Sequence, residues 1–387
     1  MSGKDIEKVL LLQGGGSLGA FGCGVYKALF EANIEIDIVA GTSIGGINAA
    51  IIAGSKDKDH PEKTLEEFWL ELAENNQDKN IFPSKGLIKQ YTNDHDRIDP
   101  YFEEATRSMM TMSSFIQSAL YGNRKMFHPR WHPFYAFSDP DYFRPYNWTY
   151  LYDHSPLIKT LEKYIDYNKL NPFHSSKPRL LMTAVNVLTA ESLIFDSHKQ
   201  QISSKHILAT AGYPMYYLPW VEVEDGVYAW DGSLLSNTPL REVIEVSSIR
   251  DKIVYIVENY PKNIDTLPKN ILEVRHRARD IMFGDKTQHS MKMSKIITRY
   301  LEFIDELYDI IEGNIENIKI EDKNLSKIRK KYTKYKLKHG AEIKKLFYIT
   351  REEPFPHLFE NADFSMEKIK DSIIEGESKT KEVIKKG

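Results

Sequence analysis

Four consecutive apolar residues, Val9 to Leu12, run into three glycines, Gly14 to Gly16, and a helical pattern begins directly behind them. An apolar run this short and without alternation fits a strand covered on both faces, as in the interior of a parallel sheet. Val25, Ala28 and Leu29 then recur at helical spacing, and Ile36 to Ala40 supplies a second short strand. The order strand, glycine turn, helix, strand is that of an α/β chain. Ile44 to Ala53 is rich in small residues and predicts a helix packed closely on the sheet, with Gly54 as its stop.

From about residue 75 to 153 the α/β rhythm breaks. Prolines stand at 83, 100, 129, 133, 140 and 145, and ten aromatic residues lie between Trp131 and Tyr152, so this stretch reads as an insertion or cap. The rhythm resumes at Arg179 to Leu188, continues through Ser192 to Asp196, and returns after a helix in Val221 to Trp230, where Asp225-Gly226 is a hairpin turn signal. Ile253 to Val257 predicts another buried strand. Met293, Ile296, Ile297, Tyr300, Leu301, Ile304, Leu307, Tyr308 and Ile311 then form a helical stripe, read as facing the core. Leu346 to Ile349 predicts an edge strand and Ser365 to Lys386 a final amphipathic helix. These patterns divide the chain into residues 1–260, with the insertion at about 75–153, and a mainly helical extension over 261–387.

Composition closes off several function classes. With 52 Lys and Arg against 55 Asp and Glu, the 387-residue chain lacks the basic excess of a dedicated nucleic-acid binder, so no nucleic-acid partner is expected. The single cysteine, Cys23, supplies neither a disulfide nor a cysteine-type zinc or iron–sulfur site, and a reducing cytoplasm is the expected compartment. No apolar run approaches the roughly 18 residues of a membrane-spanning helix. The N-terminus lacks a secretory pattern and reads as leading into a buried strand. Residues 323–345 carry ten Lys or Arg against one acid, Glu342. A solvated helix face is the default reading of that segment, and attraction to an anionic membrane surface, a peripheral contact, is the functional alternative.

The first glycine loop, Gly14-Gly15-Gly16-Ser17-Leu18-Gly19, contains G-x-G-x-x-G, and a dinucleotide site has to be weighed. Such a site calls for an acid at the end of the second strand, and that strand ends in Val39-Ala40-Gly41. The chain runs on instead as Gly41-Thr42-Ser43-Ile44-Gly45, a G-x-S-x-G between a strand and a helix, which is the context of a nucleophile elbow. Acyl transfer also needs donors aimed at the oxyanion, and the N–H groups of Gly15 and Gly16 are candidates. His276, His289, His339 and His357 sit in no recognisable strand-end loop and read as surface or structural residues. Asp231, in Trp230-Asp231-Gly232-Ser233 at the end of a hairpin strand, is the better base. A carboxylate base predicts activity that persists into mildly acidic pH.

Taken together, the segments GGGSLG, GTSIGG and DGS resemble the patatin-like phospholipase family. So does the stretch from Ala209 to Leu240. The resemblance implies a three-layer α/β/α fold with a mostly parallel sheet, carrying here an aromatic and proline-rich cap and a helical C-terminal extension. It implies Ser43 as nucleophile, Asp231 as base, Gly14, Gly15, Gly16 and Gly19 as the oxyanion loop, Gly41 and Gly45 as the elbow, and Asn237 as a residue that fixes the loop. It implies no metal and no cofactor. Many relatives carry Arg or Lys where this chain has Leu18, and D-G-G or D-G-A where it has Asp231-Gly232-Ser233, in which Ser233 could donate a hydrogen bond to Asp231. Residues 275–289 (RHRARDIMFGDKTQH) resemble an extension found in one subgroup. The expected substrate is a lipid or acyl ester: a phospholipid, a lysophospholipid or a simple ester. A storage-polyester depolymerase of the same mechanism and a catalytically silent lipid-binding protein are the alternatives, and the segment Trp131 to Tyr152 is the expected acyl-chain entrance.

Overall fold

Strand β1 (Glu7–Leu12) lies inside a mostly parallel sheet, and its apolar run is buried on both faces, as its lack of alternation requires. The computed structural model describes residues 6–74, 116, 118–174, 177–247, 250–284, 287–316, 322–339, 343–352 and 360–386. The remaining strands are β2 (Ile38–Thr42), β3 (Arg179–Asn186), β4 (Ser192–Asp196), β5 (Val221–Glu224), β6 (Val227–Asp231), β7 (Lys252–Glu258) and β8 (Ile343–Thr350). Their order is β8-β7-β1-β2-β3-β6-β5, with β4 also paired to β3. Neighbours from β8 to β3 are parallel, while β4, β5 and β6 pair antiparallel. The hairpin β5–β6 turns at Asp225-Gly226, where Gly226 has a φ of 73°.

Successive residues of β1 point to opposite faces, so Leu10 and Leu12 enter one apolar layer and Val9 and Leu11 the other. The first layer is closed by helices α1 (Gly19–Glu31), α2 (Ile44–Gly54), α3 (Pro61–Glu74), α4 (Pro156–Tyr164), α5 (Ser204–Ala211) and the C-terminal helix Met366–Lys386. Leu240 and Val243 of α6 (Leu240–Val246) close the second. The sheet thus carries helices on both faces, which is the expected α/β arrangement. Every residue of α2 is buried, in keeping with its small side chains.

Residues 261–387 return to the sheet. Helices α7 (Ile271–Phe283), α8 (Thr287–Gly313) and α9 (Asp322–His339) are followed by β8, which lies parallel to β7 at the sheet edge, and by the final helix, α10 (Met366–Lys386), which runs along α1. One expectation needs correction here. Among the described side chains of the α8 stripe, Ile296, Tyr300, Ile304 and Leu307 are exposed and do not face the core. The reason is that α8 packs sideways on α9 as an antiparallel pair, with Tyr308 stacked on Tyr332 at 3.8 Å and Arg329 paired with Glu312. Part of the expected insertion, residues 75–115, lies outside the described residues. The rest of it is tied down by the short pairing of His128–Pro129 with Tyr152–Asp153, and by Arg130, which pairs with Asp139 and stacks over Trp148 and Tyr150.

Candidate active site

β2 ends at Thr42 and the chain turns through Ser43 directly into α2. Ser43 has φ 58° and ψ −132°, a backbone state that a residue with a side chain holds only when its surroundings enforce it. The glycines of G-x-S-x-G make those surroundings. A Cβ on Gly41 would stand 2.1 Å from the Gly45 carbonyl oxygen, and a Cβ on Gly45 would stand 2.2 Å from that of Leu12, so any side chain at either position would force strand and helix apart. The Ser43 N–H donates to Thr210 Oγ1 at 3.2 Å, and the Thr210 hydroxyl donates in turn to the Thr183 carbonyl at 2.7 Å. The N-terminus of α2 places its positive end beside the serine.

Sheet register carries Asp231 to the same place. On β3, Leu181 to Thr183 pair with β2 on one side and with β4 on the other, while Ala184 and Val185 pair with β4 and β6. β2 and β6 therefore lie end to end along one edge of β3. β2 runs parallel to β3 and β6 antiparallel, so their carboxyl ends converge: Thr42 pairs with Thr183, and Asp231 with the next residue, Ala184. Ser43 comes immediately after Thr42.

Asp231 is fully buried. Its backbone N–H donates to the Gly212 carbonyl at 3.1 Å, and its Oδ1 accepts from the Ser233 N–H at 2.8 Å. Burial pushes its pKa up to about 6, against the opposing pull of the Ser43 hydroxyl and of Ser233. The Ser43 hydroxyl is thus near enough to act on the carboxyl's ionisation, yet Oδ2 is buried with no closed hydrogen bond. An open contact of this kind is common where a hydrogen bond tightens only with substrate bound. The Ser233 hydroxyl donates to Asn237 Oδ1 at 3.1 Å, so the bond to Asp231 expected of that side chain is made by its backbone.

The glycine loop faces both groups. A Cβ on Gly14 would lie 2.8 Å from Ser43 Cβ. The Gly14 N–H donates to Asn237 Oδ1 at 3.0 Å, and the Gly19 N–H closes onto the Gly16 and Ser17 carbonyls. The N–H groups of Gly15 and Gly16 are not taken by these bonds. Gln13 and Asn259 brace the loop from behind: Asn259 Nδ2 donates to the carbonyls of Gln13 and Gly14 at 3.1 and 3.2 Å, and its N–H donates to Gln13 Oε1 at 2.9 Å. Leu18 is fully buried among Tyr213, Tyr260 and Phe283. An apolar residue is what that position accommodates, and a cation there would be desolvated.

No histidine among the described residues hydrogen-bonds Ser43 or Asp231. His276 is buried against Asp280 and Arg279; His357 and the side chains of His289 and His339 lie outside the described residues. Among the described residues no group of His, Cys, Asp and Glu could hold a metal ion, and no helix is long and apolar enough to cross a membrane. Thr183, Thr210 and Asn259 escape sequence reasoning. Thr210 had a signal, since it belongs to the stretch Ala209 to Leu240 that shares in the family resemblance.

A family model described as patatin-like phospholipase matches residues 10–244. Lysophospholipase nte1 of Aspergillus terreus is 54% identical over 48 residues, 12% of this chain and 3% of that protein. Lysophospholipase NTE1 of Coccidioides immitis is 52% identical over 57 residues, 15% of this chain and 4% of that protein. The chain therefore spans only a small part of the curated relatives it matches. Among solved structures, VipD from Legionella pneumophila overlaps 98% of this chain and 67% of its own at 13% identity and a TM-score of 0.37. Full-length ExoU in complex with SpcU, from the Pseudomonas aeruginosa type III secretion system, overlaps 72% and 49% at 17% identity and a TM-score of 0.27.

Burial of Asp231 has a measurable consequence for stability. Lifting its pKa from 3.8 to about 6 corresponds to about 3 kcal/mol of cost for ionising it in the folded protein. Between those two pH values the folded chain binds more protons than the unfolded one, so this group's contribution falls as pH rises from about 4 to about 6 and is level above. Asp231→Asn removes the cost. Urea unfolding is expected to show the variant more stable than the parent by about 1–3 kcal/mol at pH 8, with the gain vanishing toward pH 4. A variant less stable than the parent at pH 8 would contradict the burial-driven shift.

Proposed function

The chain belongs to the patatin-like phospholipase family, and from that premise we propose that it is a lipid ester hydrolase in which Ser43 and Asp231 form the catalytic dyad, acting through an acyl-enzyme. Ser43 Oγ attacks the ester carbonyl carbon while Asp231 takes the hydroxyl proton. The carbonyl oxygen becomes an oxyanion held by the N–H groups of Gly15 and Gly16. Collapse breaks the ester C–O bond, and the leaving alkoxide takes the proton back from Asp231 as the alcohol departs. Water then attacks the acyl-serine with Asp231 again as base, releasing the acid and restoring Ser43. The observation that carries this reading is the meeting of Ser43 and Asp231 where β2 and β6 end against Thr183 and Ala184.

A carboxyl raised to about 6 changes one expectation. It loses its proton-accepting form in the range where a histidine would, so activity rises with pH through about 6 and does not persist into acid. Substitution therefore carries the decision between the two bases. The reacting groups fall within residues 1–260, and for substrate we propose a phospholipid or lysophospholipid ester. The lysophospholipase names of the two short matches support that choice. So does the apolar surface: Met215 and Tyr217 are exposed in the loop after Gly212, as are Leu234 and Leu235 just past Asp231, and Phe137 and Phe143 on the cap. The cap joins that loop through the Leu151 and Tyr152 N–H groups, which donate to the Tyr217 carbonyl. Exposed apolar surface of this kind serves contact with acyl chains or a lipid surface.

Hydrolysis of a short acyl ester by the full chain tests the dyad. Ser43→Ala is expected to lose at least about a thousandfold in rate. Asp231→Asn, which keeps the shape and removes the proton acceptor, is expected to lose about two to four orders of magnitude. Unchanged turnover in either folded variant would remove that residue from the mechanism, and a parent chain that binds lipid without cleaving any ester would favour the silent lipid-binding alternative.

A further inference from the structure

Residues 275–284 and the turn Glu360–Asn361 take no part in the dyad's chemistry, yet they contribute most of a cluster of buried charges. Arg279 of α7, Arg351 just past β8, and Glu360 are all buried, together with His276 and Asp280. Glu360 Oε1 accepts from Arg279 Nη2 at 3.1 Å and from Arg351 Nη2 at 2.9 Å. Arg279 Nη1 donates to Asn361 Oδ1 at 2.8 Å, and Asn361 Nδ2 donates to the Tyr216 hydroxyl at 2.8 Å.

This cluster ends on the oxyanion loop. The Ser17 hydroxyl donates to the Glu360 carbonyl at 2.7 Å. The Asn361 carbonyl lies so close to Gly16 that a Cβ there would stand 2.3 Å from it, and Gly16 has a φ of 60°, so a side chain at that position is excluded twice over. Arg351 Nε donates to the carbonyl of Asn259, the residue that braces Gln13 and Gly14. The C-terminal carbonyl of α7, on Phe283, accepts from Asn237 Nδ2 at 3.1 Å, and Asn237 holds the Gly14 N–H. Apart from the bond that Gln13 Nε2 donates to Thr238 Oγ1, the side-chain ties of the loop from Gln13 to Ser17 thus lead back to α7, to Arg351 or to the Glu360–Asn361 turn.

We propose that Arg279, Arg351 and the Glu360–Asn361 turn are positioning residues that clamp the oxyanion loop, so that the chain beyond residue 260 sets the rate of acyl transfer. The proposal rests on Ser43 as nucleophile and on Gly15 and Gly16 as oxyanion donors. A buried ion cluster is a weak source of net stability, because well-packed apolar residues do as well, but it holds its members in one geometry, since any displacement leaves a buried charge unpaired. A loop of three consecutive glycines has little conformational preference of its own. The clamp supplies from outside the geometry that the loop's composition lacks, and donors misplaced by about 1 Å cost on the order of a hundredfold in rate.

Two variants of the full chain test this, Ser17→Ala, which removes one hydroxyl, and Asn361→Ala, which cuts the ties to Arg279 and Tyr216. Each is expected to lower kcat for a short acyl ester about 10- to 100-fold with KM within about twofold, and to slow fluorophosphonate labelling of Ser43 by the same factor. Leu170→Ala, a core truncation beside Gly54 that lowers the melting temperature without touching the loop, is expected to keep the parent's kcat. Should Asn361→Ala fail to fold, Ser17→Ala decides alone. A folded variant with parental kcat, a loss confined to KM, or an equal fall of kcat in Leu170→Ala would each overturn the clamp. A parent chain whose Ser43 is not labelled at all would overturn the nucleophile assignment, and the clamp with it.

Discussion

Everything in the site depends on two strands ending head to head against a third. β2 climbs one edge of β3 and stops at Thr183, β6 descends the same edge and stops at Ala184, and β4 occupies the other edge from Leu181 to Val185. Because side chains along a strand alternate with a period of two, a slip of one residue in either pairing would turn Asp231 away from Ser43. The Thr42 and Thr183 hydroxyls, 2.7 Å apart, and the Thr210 bond to the Thr183 carbonyl stitch this junction together. It brings the elbow serine and the buried Asp231 to one place.

The candidate site departs from local preference at each position proposed to act, which is the usual mark of such a place. Ser43 sits at positive φ, Asp231 is a carboxyl with no exposed surface, and the glycine loop opens with three residues, Gly14 to Gly16, that have no conformational bias. Each departure is offset by rigid surroundings: strand and helix in contact at Gly41 and Gly45, the Ser233 N–H on Asp231, and the apolar seat of Leu18 among Tyr213, Tyr260 and Phe283. The raised pKa of Asp231 has the same origin. Desolvation makes the carboxylate a stronger proton acceptor near neutral pH and costs folding stability in the same range.

Much of the first fifty residues was legible in the sequence, because period and glycine placement act locally. An apolar run without alternation means a strand buried on both sides, and G-x-S-x-G between strand and helix needs glycines for contacts only a few residues away. Asp231 was legible as a hairpin-end carboxylate, but its distance from Ser43 depends on register across β3, which no local pattern encodes. The α8 stripe shows the limit of periodicity. Spacing tells which residues share a face, and cannot tell that the face lies against α9 and solvent. Arg279, Glu360 and Asn361 were hidden for a further reason: they meet the loop only because β8 and α10 return to the sheet after a long helical excursion.

The most direct test of the account is the rate at which a fluorophosphonate labels Ser43, followed by intact mass from about pH 4 to about pH 9, in the parent chain and in Asp231→Asn. If Asp231 is the base, the parent rate rises with pH through about 6 and then levels off, while the Asp231→Asn rate is slow and flat across the range. An Asp231→Asn chain that keeps the parent's rise would show that another group accepts the Ser43 proton, and would contradict the account.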